Sequence, residues 1–312
     1  MPSDPLPPGL YLVATPIGNL DDITLRALDI LKRADRIACE DTRQTQKLLN
    51  HFSITTPTIS CHEHNERHRA DELIGAIKAG GRIAVVSDAG MPGISDPGSL
   101  LVKEAIAAGV AVIPIPGANA ALSALVASGL PTSEFQFLGF LPEKAGARRS
   151  RLEDLAATQQ DSPLTLICYE APHRILGSLA DIEAVFGPDL PVVAARELTK
   201  IHEEFLRGTV AEVRKELACR DRIRGEFVLL IEAPAQQARA SALPASPGGP
   251  GPSVGTGEAS SPARESISGR VSRLQSEFGL DEKEALKRLA RELGQSKSEL
   301  YRELQRERAR RR

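Results

Sequence analysis

The sequence predicts an α/β protein made of two consecutive α/β units, a linker and a small helical module. Three observations predict it. Short β-branched runs alternate with helical stretches over residues 9–128, the alternation breaks over 129–146 and resumes with a different spacing, and from residue 264 onward the apolar period is wholly helical. Composition agrees: the 312 residues are 41% hydrophobic and 26% charged, the balance of a folded soluble chain rather than a disordered or collagenous one.

In the first unit, residues 1–128, the strand runs are GLYLVAT (9–15), RIACE (36–40), RIAVVS (82–87) and VAVIPI (110–115). Between and after them lie the helical stretches ITLRALDILKRA (23–34), TQKLLNHF (45–52), SLLVKEAIAAG (99–109) and AALSALVASG (120–129). Strands separated by helices of this length require right-handed crossovers and a mostly parallel sheet. The segment GLPTSEFQFLGFLPEKAGARR (129–149) is rich in turn formers and aromatics and marks the boundary.

The second unit, residues 129–233, reads as strand LTLICYE (164–170), helix HRILGSLADIEAVFG (173–187) and strands PVVAARE (191–197) and EEFLRGT (203–209). Helix VAEVRKELA (210–218) and a closing strand GEFVLLIE (225–232) complete it. Adjacent strands with short connections favour a mixed sheet. Residues 234–263 follow, with 23 Ala, Pro, Gly and Ser among 30, too little bulk to offset ordering entropy; they read as a flexible linker.

Three helices are readable in 264–312, as a compact module of helix-turn-helix type. Ile267, Val271, Leu274 and Phe278 share one face and Gly279 suits the C-cap. Asp281 with Glu284 forms a capping-box pattern ahead of Leu286, Leu289, Ala290 and Leu293. After Gly294, Ser296 with Glu299 repeats it before Leu300, Tyr301 and Leu304. This module carries 14 Lys+Arg against 9 Asp+Glu, whereas residues 1–263 carry 25 against 32. A basic tail on an acidic body points to a polyanion or a docking partner for the tail.

Other compartments and chemistries are disfavoured. Cys39, Cys61, Cys168 and Cys219 are scattered without a CxxC pair, so neither a disulfide framework nor a structural zinc site is expected. No apolar run reaches the 18 or so residues of a membrane span, the N-terminus lacks a basic leader, and a reducing cytoplasm fits. In the cluster from Cys61 to His68, His64 and His68 would share a helix face, yet the spacing matches no standard metal site.

Three glycine turns follow strands and so fall at the carboxyl edge of the first sheet, where open α/β folds bind ligands. They are ATPIGNL (14–20), SDAGMPGISDPG (87–98) and PIPGANA (114–120). In the second, glycines and prolines let backbone approach a ligand, and Asp88 can accept hydrogen bonds; the alternative is a tight structural turn with Asp96 capping the next helix. Neither GxGxxG at the first strand nor GxxxxGK[ST] is present, so no dinucleotide fingerprint or P-loop explains the turns.

These turns, together with CEDTRQTQKLL (39–49), GFLPEK (139–144), EAPHR (170–174), RELTKIHEE (196–204) and RGEFVLLIE (224–232), resemble the tetrapyrrole methylase superfamily. Within it they are similar to the branch that methylates small-subunit ribosomal RNA. The resemblance covers the first 232 residues. It implies a two-domain fold with the cofactor, S-adenosylmethionine, bound in the cleft between the domains, a homodimer, and no metal. The acceptor it implies is the ribose 2′-hydroxyl of a decoding-region cytidine of 16S rRNA in the 30S subunit. Carried onto this sequence, the cofactor positions are Asp88, Gly90, Asn119 and Ala120, with Tyr169, Ala195 and Gly225 from the second domain.

Methyl transfer to a hydroxyl needs positioning and a proton acceptor. Asp41, Glu197 and Lys200 are the candidate bases; an ion-pair network between the domains is the other use for such charges. Arg43, Arg148, Arg149, Arg151 and Arg174 are candidate RNA contacts, since phosphate binding needs charge and reach. Two other readings remain open: a methyltransferase for a small tetrapyrrole or corrin, and a noncatalytic nucleic-acid binder working through its tail.

Overall fold

The computed structural model describes residues 6–62, 65–96, 98–157, 163–233 and 281–293, with 270, 271, 275 and 304. The chain divides into two compact units, Met1–Pro244 and Ala245–Arg312. The first contains two five-stranded sheets.

Strands β1 (Gly9–Val13), β2 (Arg36–Cys39), β3 (Thr58–Ser60), β4 (Arg82–Val86) and β5 (Val112–Ile115) form the first sheet in the order β3-β2-β4-β1-β5, every pair parallel. Its helices are α1 (Leu25–Arg33), α2 (Thr42–His51), α3 (Glu66–Lys78) and α4 (Ser99–Ala107). Both faces are buried, which is why the strands are apolar throughout rather than alternating. Tyr11, Ile37 and Ala84 pack with Leu31 and Leu49 on one face, while their strand neighbours Leu10, Ala38 and Ile83 pack with Leu73 and Leu101 on the other. At three residues, β3 is too short to register in the sequence as a strand.

Helix α4 begins at Gly98, which has no side chain to cap it. Glu66 supplies the cap from α3: its Oε1 accepts the Gly98 and Leu101 amides, both at 3.0 Å. A buried carboxylate at a helix N-terminus satisfies orphan donors and meets the positive end of the dipole. Glu66 therefore takes the capping role that the sequence offered to Asp96, and it anchors the end of the long turn after β4. Asn65 tightens the same corner, accepting the His62 amide at 2.9 Å.

The second sheet is mixed. Strands β6 (Phe135–Phe140), β7 (Leu164–Glu170), β8 (Pro191–Arg196), β9 (Glu204–Thr209) and β10 (Phe227–Ala233) lie in the order β6-β7-β10-β8-β9. Only β6 and β7 run parallel. Strand β6 falls in the stretch read as a boundary of turns, because Gly139 and its flanking prolines mask the alternation. Its register shifts between Phe137 and Phe140, and Gly139 there has φ +65°. Helices α6 (Ala145–Ala157), α7 (Ile175–Phe186) and α8 (Val210–Ala218) cover one face through Leu152, Leu179, Ile182, Val213 and Leu217.

The other face is covered by α5 (Ala120–Ser128), which follows the last strand of the first sheet. Its Ala121, Ala124 and Leu125 pack on Ile167, Val193, Ala195, Val228 and Leu230. Helix α5 thus carries the chain from the first sheet onto a face of the second, within one compact unit.

Of the arginines expected at an RNA surface, Arg148 is buried and Arg174 is partly buried. Arg148 is 6% exposed and pairs with Asp181 at 2.7 Å, with its Nη1 also donating to the Pro142 and Glu143 carbonyls. Arg174 pairs with buried Glu170 at 3.0 Å and donates to the Leu141 carbonyl. Each answers a buried carboxylate, and Glu170 also lines the cavity described below. Arg149 also reaches Asp181, but remains half-exposed, and Arg151 is exposed.

In the second unit, helix α9 (Glu282–Leu293) is capped by Asp281, whose carboxylate accepts the Glu284 amide at 2.7 Å. Leu286, Leu289 and Ala290 bury with Val271 and Leu304. The linker and most of the expected first and third helices lie outside the described residues.

Removing one partner of a buried ion pair leaves the other uncompensated, so Asp181→Ala is expected to lower unfolding free energy by about 3–5 kcal/mol in urea titration. Asp29→Ala, which breaks the exposed Arg33–Asp29 pair, should change it by less than about 0.5 kcal/mol. Glu66→Ala should cost about 1–2 kcal/mol through the lost cap.

Candidate active site

The three glycine turns meet. Thr15 and Gly90 form an isolated antiparallel bridge, Thr15 N–H donating to Gly90 O at 2.9 Å and Gly90 N–H to Thr15 O at 3.1 Å. The Thr15 hydroxyl donates to Ser87 O at 3.1 Å. Gly90 has φ +81°, a conformation that favours glycine. The third turn closes against the first at Gly117, where a Cβ would stand 2.7 Å from that of Ala14. Asn119 then caps α5, its Oδ1 accepting the Leu122 amide at 3.0 Å.

Facing these turns are the ends of β7, β8 and β10. The space between is a cavity of about 480 Å³, within the usual size of a small-molecule site. From the first half come Ile17, Ala89, Gly90, Met91, Ile94, Ser95, Asp96, Asn119 and Ala120. From the second come Phe140, Tyr169 to His173, Ala195, Leu198, Lys200 and Glu226 to Val228. Much of this wall is backbone, small side chain or aromatic ring. Tyr169 stands edge-on to Phe137 and Phe140, with ring centroids 5.0 and 5.7 Å apart.

The loop after β8 is strained and tied down. Glu197 and Thr199 have φ +52° and +65°, positions rare for residues with a Cβ. Glu197 Oε1 takes the Lys200 ammonium at 2.8 Å and the Glu226 amide at 3.0 Å, and Lys200 also pairs with the Glu226 carboxylate at 2.9 Å. Any Cβ at Gly225 would collide with the Glu197 side chain, and one at Gly18 with Lys200. Lys200 thus packs against the first turn at Gly18 while its ammonium is held by Glu197 and Glu226.

These contacts decide the protonation states. Burial works against the Lys200 charge, but hydrogen bonds and charge from Glu197 and Glu226 outweigh it and hold the ammonium above its usual pKa. Burial likewise opposes the Glu197 charge, and Lys200 and the Glu226 amide reverse it. A lysine with a lowered pKa, one form the expected base could take, is therefore not what Lys200 is. Asp41 is the N-cap of α2, its pKa lowered first by the Arg43 amide, and it lies outside the cavity lining.

Of the expected cofactor residues, Gly90, Asn119, Ala120, Tyr169 and Ala195 line the cavity. Asp88 is exposed, next to the lining residue Ala89, and accepts the Asp41 amide at 3.4 Å, and Gly225 makes room for Glu197. Arg43 is exposed beside Asp41. His68 is exposed on α3, and His64 lies outside the described residues. Asp96 went unassigned to the site: burial first, then the charges of Glu40 and Asp88, push its pKa up to about 6. Only the meeting of residues 40, 88 and 96 in space creates that signal.

The family model described as Tetrapyrrole (Corrin/Porphyrin) Methylases matches residues 9–214. A protein of Halalkalibacterium halodurans named ribosomal RNA small subunit methyltransferase I is 56% identical over 223 residues, 72% of this chain and 75% of that one. A protein of the same name from Synechocystis sp. is 51% identical, over 71% of this chain and 78% of its own length. Among solved structures, uroporphyrin-III-C-methyltransferase of Thermus thermophilus superposes with a TM-score of 0.51 at 19% identity, covering 72% of this chain and 94% of that one. The chain belongs to the tetrapyrrole (corrin/porphyrin) methylase family and, within it, to the ribosomal RNA small subunit methyltransferase I group.

Proposed function

We propose that the protein transfers the methyl group of S-adenosylmethionine to the ribose 2′-hydroxyl of a decoding-region cytidine of 16S rRNA in the small ribosomal subunit. The carrying observation is the cavity formed by the three turns, in a chain 56% identical to a relative named for small-subunit RNA methylation. S-adenosylmethionine supplies an activated sulfonium methyl, which leaves positioning and proton removal to the protein.

The cavity suits such a donor. Gly90, Asn119, Ala120, Tyr169 and Ala195 offer backbone edges and an aromatic side, the surroundings in which an adenosyl group is held with few charged contacts. Asp88 and Gly225 act beside the cavity, one by accepting the Asp41 amide at the start of α2, the other by seating Glu197. Glu197 and Lys200 are assigned a positioning role, since Lys200 pairs with both the Glu197 and Glu226 carboxylates and Glu197 also accepts the Glu226 amide. Arg43, Arg149 and Arg151 are the phosphate contacts of this reading, being exposed where Arg148 is buried and Arg174 is partly buried in its pair with Glu170. A homodimer in the cytoplasm, without a metal, completes it.

Unmethylated 30S subunits incubated with labelled S-adenosylmethionine should acquire label on one 2′-O-methylcytidine, found by nucleotide mapping. Label on a small tetrapyrrole and none on RNA would overturn the acceptor. Gly225→Ala, which forces Glu197 out of its seat, is expected to weaken S-adenosylhomocysteine binding by about tenfold in calorimetry, order-of-magnitude for the loss of one well-made polar contact. Joint replacement of Arg43 and Arg151 by alanine should weaken subunit binding and lower its salt slope by about 2.

A further inference from the structure

We propose that His173 is the proton acceptor for the ribose hydroxyl, presented into the cavity by a turn that the buried Glu170 carboxylate holds in shape. This rests on the reading above that the acceptor is an RNA nucleotide. The expected bases leave that role open: Lys200 is held as an ammonium, Glu197 is bound to it, and neither Glu197 nor Asp41 lines the cavity.

The turn after β7 is fixed from several sides. The Glu170 side chain has no exposed surface, and a carboxylate removed from water is stable only when its oxygens are bonded. Its Oε1 accepts the Ala171 amide at 2.9 Å and pairs with Arg174 Nε at 3.0 Å, while Oε2 accepts the Ser178 hydroxyl. Arg174 carries the restraint outward, donating through Nη2 to the Leu141 carbonyl. Leu141 follows Phe140, which pairs in register with Tyr169, so the turn is tied to the ends of both β6 and β7. Within the turn the Arg174 and Ile175 amides both donate to Ala171 O, at 3.0 and 3.1 Å. Pro172 fixes its own φ and disfavours helical backbone at Ala171 before it.

His173 takes no part in this network. Its side chain is exposed, lines the cavity and makes no hydrogen bond or ion pair among the described residues. The other ionisable side chains of the lining are engaged or stand on the donor side. Glu170 holds the turn, and Glu226 and Lys200 pair with each other. Burial pushes the Tyr169 phenol up, so it keeps its proton, and Asp96 stands with Ser87, Glu40 and Asp88 in the turns that this reading gives to the donor. Imidazole is the side chain suited to taking a proton near neutrality, and a turn locked from behind with its one unbonded side chain facing a cavity is how a reacting group is held in place. In the transfer, the ribose oxygen bonds to the methyl carbon as the carbon–sulfur bond breaks, and the electron pair of that bond stays on sulfur as a neutral thioether. The hydroxyl proton passes to a ring nitrogen of His173 and from there to solvent, which the exposure of the side chain admits.

The test uses the full chain with unmethylated 30S subunits under single-turnover conditions. His173→Ala is expected to slow methyl transfer by at least about 100-fold while S-adenosylhomocysteine and subunit affinities stay within about twofold. Because the imidazole touches nothing else in the chain, the urea midpoint of that variant should match the wild type. His173→Gln, which keeps a hydrogen-bonding side chain but cannot take the proton, should be as slow as His173→Ala. Imidazole added to the buffer should speed the alanine variant by at least about tenfold and leave the wild type unchanged, a rescue that loss of a merely structural contact would not show. The assignment is overturned if either variant keeps its rate, if His173→Ala weakens subunit or S-adenosylhomocysteine binding instead of slowing transfer, or if imidazole restores nothing. A wild-type protein that binds S-adenosylhomocysteine but labels no RNA overturns the acceptor reading itself, whereas RNA labelled equally by wild type and His173→Ala overturns the role of His173 alone.

Discussion

Everything about the cavity depends on where α5 is buried. Its chain comes from the first sheet, but its inner face of Ala121, Ala124 and Leu125 lies on the second. Small residues on that face let the helix approach β8 and β10 closely, which fixes the distance between the two sets of strand ends. The N-terminus of α5 then opens into the space so defined, with Asn119 at its tip. A hydrophobic contact thus sets the dimensions of a polar site, and Lys200 packs against Gly18 at its rim.

Within that frame the turns that line the cavity have backbone shapes imposed from outside. The Thr15–Gly90 bridge zips two turns together, and Glu66 clamps the far end of the longer one from a neighbouring helix. Of the four described non-glycine residues with positive φ, three, Ser95, Glu197 and Thr199, lie at or beside the cavity, and the fourth, Ser53, follows α2. Conformations of that kind persist only where the surroundings over-determine them. Here the surroundings are the Glu66 cap on one side and the Glu197–Lys200–Glu226 cluster on the other. A site of fixed backbone suits a reaction whose electrophile arrives already activated, because little is asked of side-chain chemistry beyond alignment and one proton transfer.

The parallel first sheet and the mixed second one were legible because their strands are buried on both faces and read as continuous β-branched runs. Strand β3 and strand β6 were not, the first for its brevity and the second because Gly139 and turn-forming neighbours break the pattern. The three turns were legible as a site for a physical reason: strand-to-helix turns of a parallel sheet all open on one edge. What a side chain does there was less legible. Arg148 looks like any helical surface cation until Asp181, 33 residues further on, claims it. Lys200 looks like a base until its two carboxylates are seen, and Asp96 looks like a helix cap until Glu66 is found in that place. In each case the deciding partner is remote in sequence, and local pattern carries no trace of it.

The strand orders also govern how the chain can come together as it is synthesised. In the first sheet β1 sits between β4 and β5, so the earliest strand to emerge waits without a neighbour until residue 82 has been made. In the second, the last strand, β10, is inserted between β7 and β8, and it also carries part of the surface that receives α5. Until residues 227–233 leave the ribosome, β7 and β8 lack the strand that joins them and the inner face of α5 has nowhere complete to dock. The first sheet is thus complete once residue 115 is made, whereas the second sheet and the seat of α5 are complete only with the last strand. A nascent chain halted short of β10 exposes open strand edges and an apolar helix face together, the combination that chaperones recognise.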